Sequence, residues 1–473
     1  MNASSTNQTR NWPPERKFTP LDWQLDAMSA WEQAGRMGIV EAVTGSGKTY
    51  LGLEAMHRLL STERRLSVLI VVPSIPIMEQ WKKRAGESFK NGKVGLLGGG
   101  QKDNFSTPGR MAIVGVINSV VRQLPSLFEH TNSASDFRTL LIADECHHYI
   151  EAPVWKTLTR KWNFSYRLGL TATLGDDHYE IGGLGRVVYE YKFKDAYADN
   201  LVPPFDLVQA LVDLTYSERE QYGDLTEKIG KQLILVFEKY QDELRDTWDE
   251  QNFKKLRKIM MSGSTNPEHW DPDIKRLFGL IFRRVEIVYC SQRKMELAEL
   301  LVRELVLRGK KVLVFFERIQ SAEDVGEDLA KTAAKNLQDS LRNRRCSVGV
   351  PTLIYNSSMT KSKRAEVLAS FAQSGPAAML ACKALDEGLD LPDVDAAVLV
   401  SSTRSTRQRI QRIGRTLRRG GEDKKAMVVS LHVGQTGDTD VLAGDKEIFG
   451  DVAEITTCRG KDALSVIQNL QNT

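Results

Sequence analysis

The sequence predicts an α/β protein with two parallel β-sheets and a helix-rich segment between them. Three observations carry this reading. From Trp12 to about Asn200, short apolar runs alternate with helical stretches: Ile39-Val40, Val68 to Val72, Ile113 to Ile117, Leu140 to Ala143 and Leu168 to Leu170. A second series follows at Val312 to Phe316, Thr352 to Tyr355, Ala378 to Ala381, Ala397 to Val400 and Ala426 to Leu431. Between the two series the chain is charged and reads as two helices separated by Ser262 to Asp273, a stretch of Ser, Gly, Asn, Pro and Asp. The expected organisation is a polar tail over 1–17, a first lobe over 18–204, a helical insert over 205–308 and a second lobe over 309–473.

Composition narrows the function classes. With 473 residues, 41% hydrophobic and 27% charged, the chain is long and apolar enough for several globular cores. Its longest apolar runs fall far short of the roughly 18 residues that a membrane span requires, and Met1 to Lys17 has no apolar centre of the secretory kind. Five scattered cysteines with no C-x-x-C pair read as reduced thiols in a cytoplasmic protein, and their spacing argues against a zinc or iron–sulfur cluster. A net charge of +4 does not by itself announce nucleic acid, so any basic signal must come from clustering.

Three segments carry chemistry. Ile39 to Thr49 runs from a short strand through Thr44-Gly45-Ser46-Gly47-Lys48-Thr49 into a helix marked by Gly52, Met56 and Leu59. That is the context of a phosphate-binding loop. The glycines let backbone N–H groups face phosphates, Lys48 reaches the β and γ phosphates of ATP, and the Thr49 hydroxyl is placed to ligate Mg²⁺. Ala42 stands where the G-x-x-x-x-G-K-[ST] pattern has its first glycine. The second segment is the apolar run Leu140 to Ala143, which ends in Asp144-Glu145-Cys146-His147. Acids at the carboxyl end of a buried strand sit where open α/β sheets bind ligands, so Asp144 is expected to hold Mg²⁺ and Glu145 to activate water. The third is the arginine cluster Arg404, Arg407, Arg409, Arg412, Arg415, Arg418 and Arg419. On a helix at ~100° per residue, Arg404, Arg407, Gln411, Arg415 and Arg418 fall within roughly 80° of one another, apart from the stripe of Ile410, Ile413 and Leu417.

Together these residues resemble a superfamily 2, DEAD/DEAH-like helicase or translocase with two RecA-like lobes, over most of the chain. Leu21-Asp22-Trp23-Gln24 resembles the upstream element whose glutamine reads adenine, which implies Gln24 as an ATP contact. Val43 to Thr49 resembles motif I, Asp144 to His147 resembles motif II in a D-E-x-H form, and Thr171-Ala172-Thr173 resembles motif III, which couples ATP state to nucleic-acid grip. Pro73 to Trp81 and Ile117-Asn118-Ser119 are similar to nucleic-acid-facing motifs. In the second lobe Ala381 to Pro392 looks like motif V and Gln411 to Arg418 like motif VI. The resemblance implies that Gln411 and Arg415 face the triphosphate, that Arg418 is the finger, and that Gly388 and Asp390 contact ATP or the strand. Pro73, Ser119, His147, Thr171 and Thr173 are implied in nucleic-acid contact or coupling. Within the superfamily the pattern is most similar to the XPB, UvsW and RadD-like branch, although no Arg-Glu-Asp triplet occurs in the first lobe.

The resulting expectation is an ATP-dependent DNA helicase or translocase that hydrolyses ATP with Mg²⁺ between its lobes. One alternative is a partner-dependent motor subunit of a restriction, anti-phage or repair complex, because no substrate-recognition domain is evident and a protein partner would supply specificity. An RNA helicase is the weaker alternative, since the D-E-A-D form is absent. Trp81, Trp155 and Trp162 have the chemistry to stack bases, but in such a sheet they are read as packing residues. Lys254, Lys255, Arg257 and Lys258 fit either a duplex grip or a salt-bridged face with the acids from Asp242 to Glu250.

Overall fold

The computed structural model describes residues 15–471 except 64, 91–92, 106–109, 128–137, 151, 173, 175–179, 203, 242–255, 257–270, 317–324, 344–348, 357, 383–393 and 402–424. The chain divides into two compact units, the first reaching Val202 and the second comprising most of the remainder. Each has a largely parallel sheet of its own, so the two-lobe α/β fold expected from the apolar series is the fold observed.

The first unit runs α1 (Asp22–Gln33), β1 (Met37–Ala42), α2 (Lys48–Thr62), β2 (Leu66–Val72), α3 (Ile75–Ser88), β3 (Lys93–Gly98), β4 (Gln101–Lys102), β5 (Arg110–Val116), α4 (Ile117–Leu127), β6 (Arg138–Asp144), α5 (Pro153–Lys161), β7 (Tyr166–Thr171), β8 (Glu180–Ile181), β9 (Gly185–Tyr191) and α6 (Phe193–Ala198). Among the described residues its sheet has nine strands in the order β4-β3-β5-β2-β6-β7-β1-β9-β8. Only the terminal pairs β3/β4 and β8/β9 are antiparallel. The central strands β2 and β6 are buried along almost their whole length, which is why they read as unbroken apolar runs. Leu69, Val71, Leu141 and Ala143 from these strands pack with Trp155 and Leu158 of α5 in one core. Strand β9 gave no such signal: of Gly185 to Tyr191 only Tyr191 is buried, so polar residues interrupt its pattern.

The second unit runs β10 (Phe205–Val212), α7 (Tyr216–Lys239), α8 (Pro272–Tyr289), α9 (Gln292–Leu307), β11 (Val312–Phe316), α10 (Val325–Arg342), β12 (Thr352–Asn356), α11 (Lys361–Gln373), β13 (Ala378–Cys382), β14 (Ala396–Leu399), β15 (Ala426–Val433), α12 (Asp440–Phe449), β16 (Ala453–Arg459) and α13 (Gly460–Gln471). Its described sheet has seven strands in the order β12-β13-β11-β14-β15-β10-β16, parallel throughout.

Here the structure differs from the reading of 205–308 as a helical segment. Phe205–Val212 is a strand between β15 and β16, and α9 places Leu297, Leu301 and Leu305 in the core of the same unit. Asp206 and Gln209 disguise β10 in the sequence. Both are buried and paired: Asp206 with Lys425, and Gln209 through its amide to Asp445 Oδ2 at 3.2 Å and through Oε1 to the Thr457 hydroxyl at 2.9 Å. The helix-rich projection narrows to α7 and α8, which pack around Ile229, Val236, Ile274, Leu277 and Phe278. A reciprocal cap starts α7, with Glu218 N–H donating to Thr215 Oγ1 and Thr215 N–H to Glu218 Oε2. The basic cluster at 254–258 and the acids from Asp242 to Glu250 lie outside the described residues. No described helix is long and apolar enough to cross a membrane.

Candidate functional site

Because β5, β2, β6, β7 and β1 are parallel neighbours, the segments that follow them line one edge of the first sheet. Along this edge the chain places Ser119 after β5, Pro73 after β2, Glu145 after β6, Thr171 at the end of β7 and the glycine-containing loop after β1. The carboxyl edge of a parallel sheet is where crossover helices leave room for a ligand.

The loop is shaped by its backbone. Gly45 and Gly47 have φ of +90° and +101°, a region that side chains disfavour. A Cβ at Gly47 would lie 2.8 Å from Gln24 Nε2. That amide donates to the Gly47 carbonyl at 3.1 Å, while Gln24 Oε1 accepts the Leu21 N–H at 3.0 Å, so Gln24 is braced against the loop. Ala42 causes no conflict: it ends β1 in extended conformation, and its carbonyl accepts Lys48 Nζ at 2.8 Å. The first turn of α2 begins with Lys48 and Thr49, so helix N–H groups add to the positive charge there. Ser46 Oγ donates to the Val43 carbonyl at 2.7 Å, whereas the buried Thr44 Oγ1 has no hydrogen-bond partner among the described residues.

The acidic pair lies at the end of β6. Asp144 is buried, accepts the Trp81 indole N–H at 2.6 Å on Oδ2 and the Glu145 backbone N–H at 3.0 Å on Oδ1. Burial, and after it the Glu145 carboxylate, push the Asp144 carboxyl up to about 7, while Trp81, Lys48 and the Glu145 N–H favour its anion. Glu145 turns the chain with φ of +46° into the short turn Cys146–His148. His147 Nδ1 is 2.8 Å from Thr171 Oγ1 and 3.5 Å from Glu145 Oε2, joining the ends of β6 and β7. The Tyr149 hydroxyl lies 2.9 Å from the Asp144 carbonyl and 3.1 Å from that of Val71, which ties β6 to β2.

These groups fit a nucleotide triphosphate with a divalent cation. Asp144 is buried next to the Glu145 carboxylate, the first turn of α2 carries the Thr49 hydroxyl, and among the described residues Lys48 Nζ donates to the neutral Ala42 carbonyl. Ser119 lines an open cavity of about 480 Å³ with Gly98 to Gly100, Lys102 and Arg122. Gln24, Thr44 to Thr49, Asp144, Glu145, His147 and Thr171 thus belong to one unit, with Pro73 and Ser119 farther along the same edge. Thr173, Gly388, Asp390, Gln411, Arg415 and Arg418 lie outside the described residues.

Two residues at the site escaped sequence reasoning. Glu41 Oε1 accepts the Leu174 N–H at 3.2 Å, bracing the segment after β7; the visible signal was a lone acid inside an apolar strand. Trp81 is buried, as a packing residue would be, but its N–H is committed to Asp144, and no sequence signal distinguished it from Trp155.

Comparison with known proteins finds likenesses over both units. Residues 17–176 match the family model described as Type III restriction enzyme, res subunit, and residues 293–420 match the helicase conserved C-terminal domain. The DNA 3'-5' translocase XPB2 of Sulfurisphaera tokodaii is 26% identical over 426 residues, covering 89% of this chain and 83% of the relative. The DNA 3'-5' helicase XPB of Mycobacterium tuberculosis is 31% identical over 211 residues, 43% of this chain and 36% of that protein. In fold, the chain is similar to the Hef helicase domain of Pyrococcus furiosus, with a TM-score of 0.53 at 18% identity, over 89% of this chain and 97% of the other.

Proposed function

We infer that this chain, a superfamily 2 helicase of the XPB-like branch, is an ATP-dependent motor that moves along or remodels DNA. The observation that carries the reading is the buried Asp144 with the half-buried Glu145 next to it, beside the Lys48 loop on one edge of a parallel sheet. In this reading the loop N–H groups and Lys48 bind the β and γ phosphates, Gln24 reads the adenine edge, and Thr49 with Asp144 holds Mg²⁺. A bound Mg²⁺ supplies charge neutralisation of the phosphates. Glu145 orients the attacking water and accepts its proton. Gln411, Arg415 and Arg418 are assigned to the triphosphate, and Gly388 and Asp390 to ATP or the strand, on motif resemblance. His147 relays the state of Glu145 to Thr171, which its ring nitrogen already meets. Pro73 and Ser119 face the strand.

The test is steady-state ATPase of the purified protein without polymer and with single-stranded, duplex or forked DNA or RNA, with Lys48→Ala as the contamination control. Stimulation by DNA that weakens steeply with salt is expected, because phosphate contacts release counterions. A second reading, a motor subunit that needs a protein partner, is favoured by the match of 17–176 to a restriction-enzyme subunit family. Folded, nucleotide-binding protein that no polymer stimulates would select it.

A further inference from the structure

Trp81 is wholly buried on α3, and its surroundings set it apart from the other buried indoles whose N–H groups are paired. Trp31 donates to the Arg167 carbonyl and Trp155 to the Gly182 carbonyl, both at 2.8 Å, so each ties framework to framework. The Trp81 N–H goes instead to a carboxylate, Asp144 Oδ2, at 2.6 Å. Its ring edge lies against Gly52 of α2, where an added Cβ would stand 2.6 Å from the ring. The indole therefore spans from the helix that begins with Lys48 and Thr49 to the acid at the end of β6.

We propose that Trp81 is a positioning residue, whose indole N–H holds the Asp144 carboxylate in the orientation that receives the nucleotide-bound divalent cation. The inference rests on the reading of Asp144 as a cation-side carboxylate. A carboxylate offers about four lone-pair sites. The Trp81 N–H and the Glu145 N–H take one on each oxygen, so rotation about the side chain breaks both bonds while acceptor capacity remains for a cation. An indole is suited to this role because it gives one proton, accepts none and does not ionise in the working pH range. Partners behind a ligating carboxylate typically contribute about 10–100-fold in metal affinity or activity. Filling the space alone would need no donor, and a buried donor is costly unless paired.

The experiment compares Trp81→Phe with the parent full-length protein by titrating a fluorescent ADP analogue in EDTA and in Mg²⁺, and by titrating Mg²⁺ in the ATPase assay. Metal-free nucleotide affinity should match the parent, because the loop is untouched. The affinity gained on adding Mg²⁺ should fall about tenfold, and half-saturation in Mg²⁺ should move upward by a similar factor. Trp155→Phe removes a buried indole donor from the same unit and should lower thermal stability without moving either Mg²⁺ readout. If the two variants give the same Mg²⁺ dependence as the parent, the positioning role is wrong. Should Trp81→Phe fail to fold, 3-benzothienylalanine at position 81 keeps the ring volume and replaces N–H by sulfur, and the same outcomes apply. Asp144→Asn separates the two layers of argument. Loss of the Mg²⁺ gain in Asp144→Asn but not at Trp81 overturns this inference alone, whereas an unchanged gain in Asp144→Asn overturns the site reading beneath it.

Discussion

Glu145 occupies a strained position for an acid, with φ of +46°, where the chain leaves a buried strand and turns at once into Cys146–His148. A left-handed residue that is not glycine costs about 1–2 kcal/mol, and here the turn brings its carboxylate to 3.5 Å from His147 Nδ1. The neighbouring Asp144 is anchored by two hydrogen bonds and is the more deeply buried of the two. Glu145→Gln keeps the shape and removes the base. Turnover is expected to fall by about 10²–10⁴-fold while nucleotide binding persists, which ATPase rates together with equilibrium titration would check. Retained ATPase in this variant and in Lys48→Ala would remove the site assignment altogether.

At the scale of elements, two features of the second unit make separate predictions. Deleting 217–273 would strip α7 from α8 and leave Ile274, Leu277 and Phe278 bare, at about 1.5–3 kcal/mol for each side chain. Deleting the facing parts of both helices, 224–283 with a short linker, removes that small core as a unit. Basal ATPase should survive the paired deletion, and the thermal midpoint should fall much further for the unpaired one. The second feature lies at the end of β15, where His432 Nε2 is 2.5 Å from Ser430 Oγ and Nδ1 is 3.1 Å from the Asp438 carbonyl. Asp438 Oδ2 also accepts the Val433 N–H at 3.0 Å and lies 3.5 Å from the buried Lys294 Nζ. Burial lowers the His432 pKa below 6.5, with the negative charge of Asp438 opposing. The unfolded state therefore binds the extra proton first. Stability is present above pH 6.5 and declines as the pH falls from there toward the lowered folded value. Urea midpoints measured between pH 7.5 and 5.5 should show this decline, and His432→Gln should give a shallower slope whatever its absolute stability.

For the whole molecule, the first unit closes its sheet and core within residues up to Val202, and it holds the loop, the acids and the glutamine that braces them. A fragment of residues 15–202 is expected to fold and bind nucleotide without DNA-stimulated turnover, because Gln411, Arg415 and Arg418 are absent from it. Calorimetry and ATPase assays would check both halves of that statement. The sequence by itself determined the two-sheet class, because β2, β6 and β11 are buried on both faces and read as nearly unbroken apolar runs. It also placed Lys48 at the start of a helix that follows a strand and Asp144-Glu145 at the end of an apolar strand, and the structure has them there. Only the tertiary structure decided that Phe205–Val212 is a strand, since Asp206 and Gln209 find partners far away in sequence, Lys425 and Asp445. Likewise Trp81 and Trp155 look alike as letters, and they separate only when folding brings a carboxylate to one and a backbone carbonyl to the other. Local patterning records which face is buried, whereas the partner of a buried polar group depends on contacts across long stretches of chain, and three-dimensional packing alone sets those.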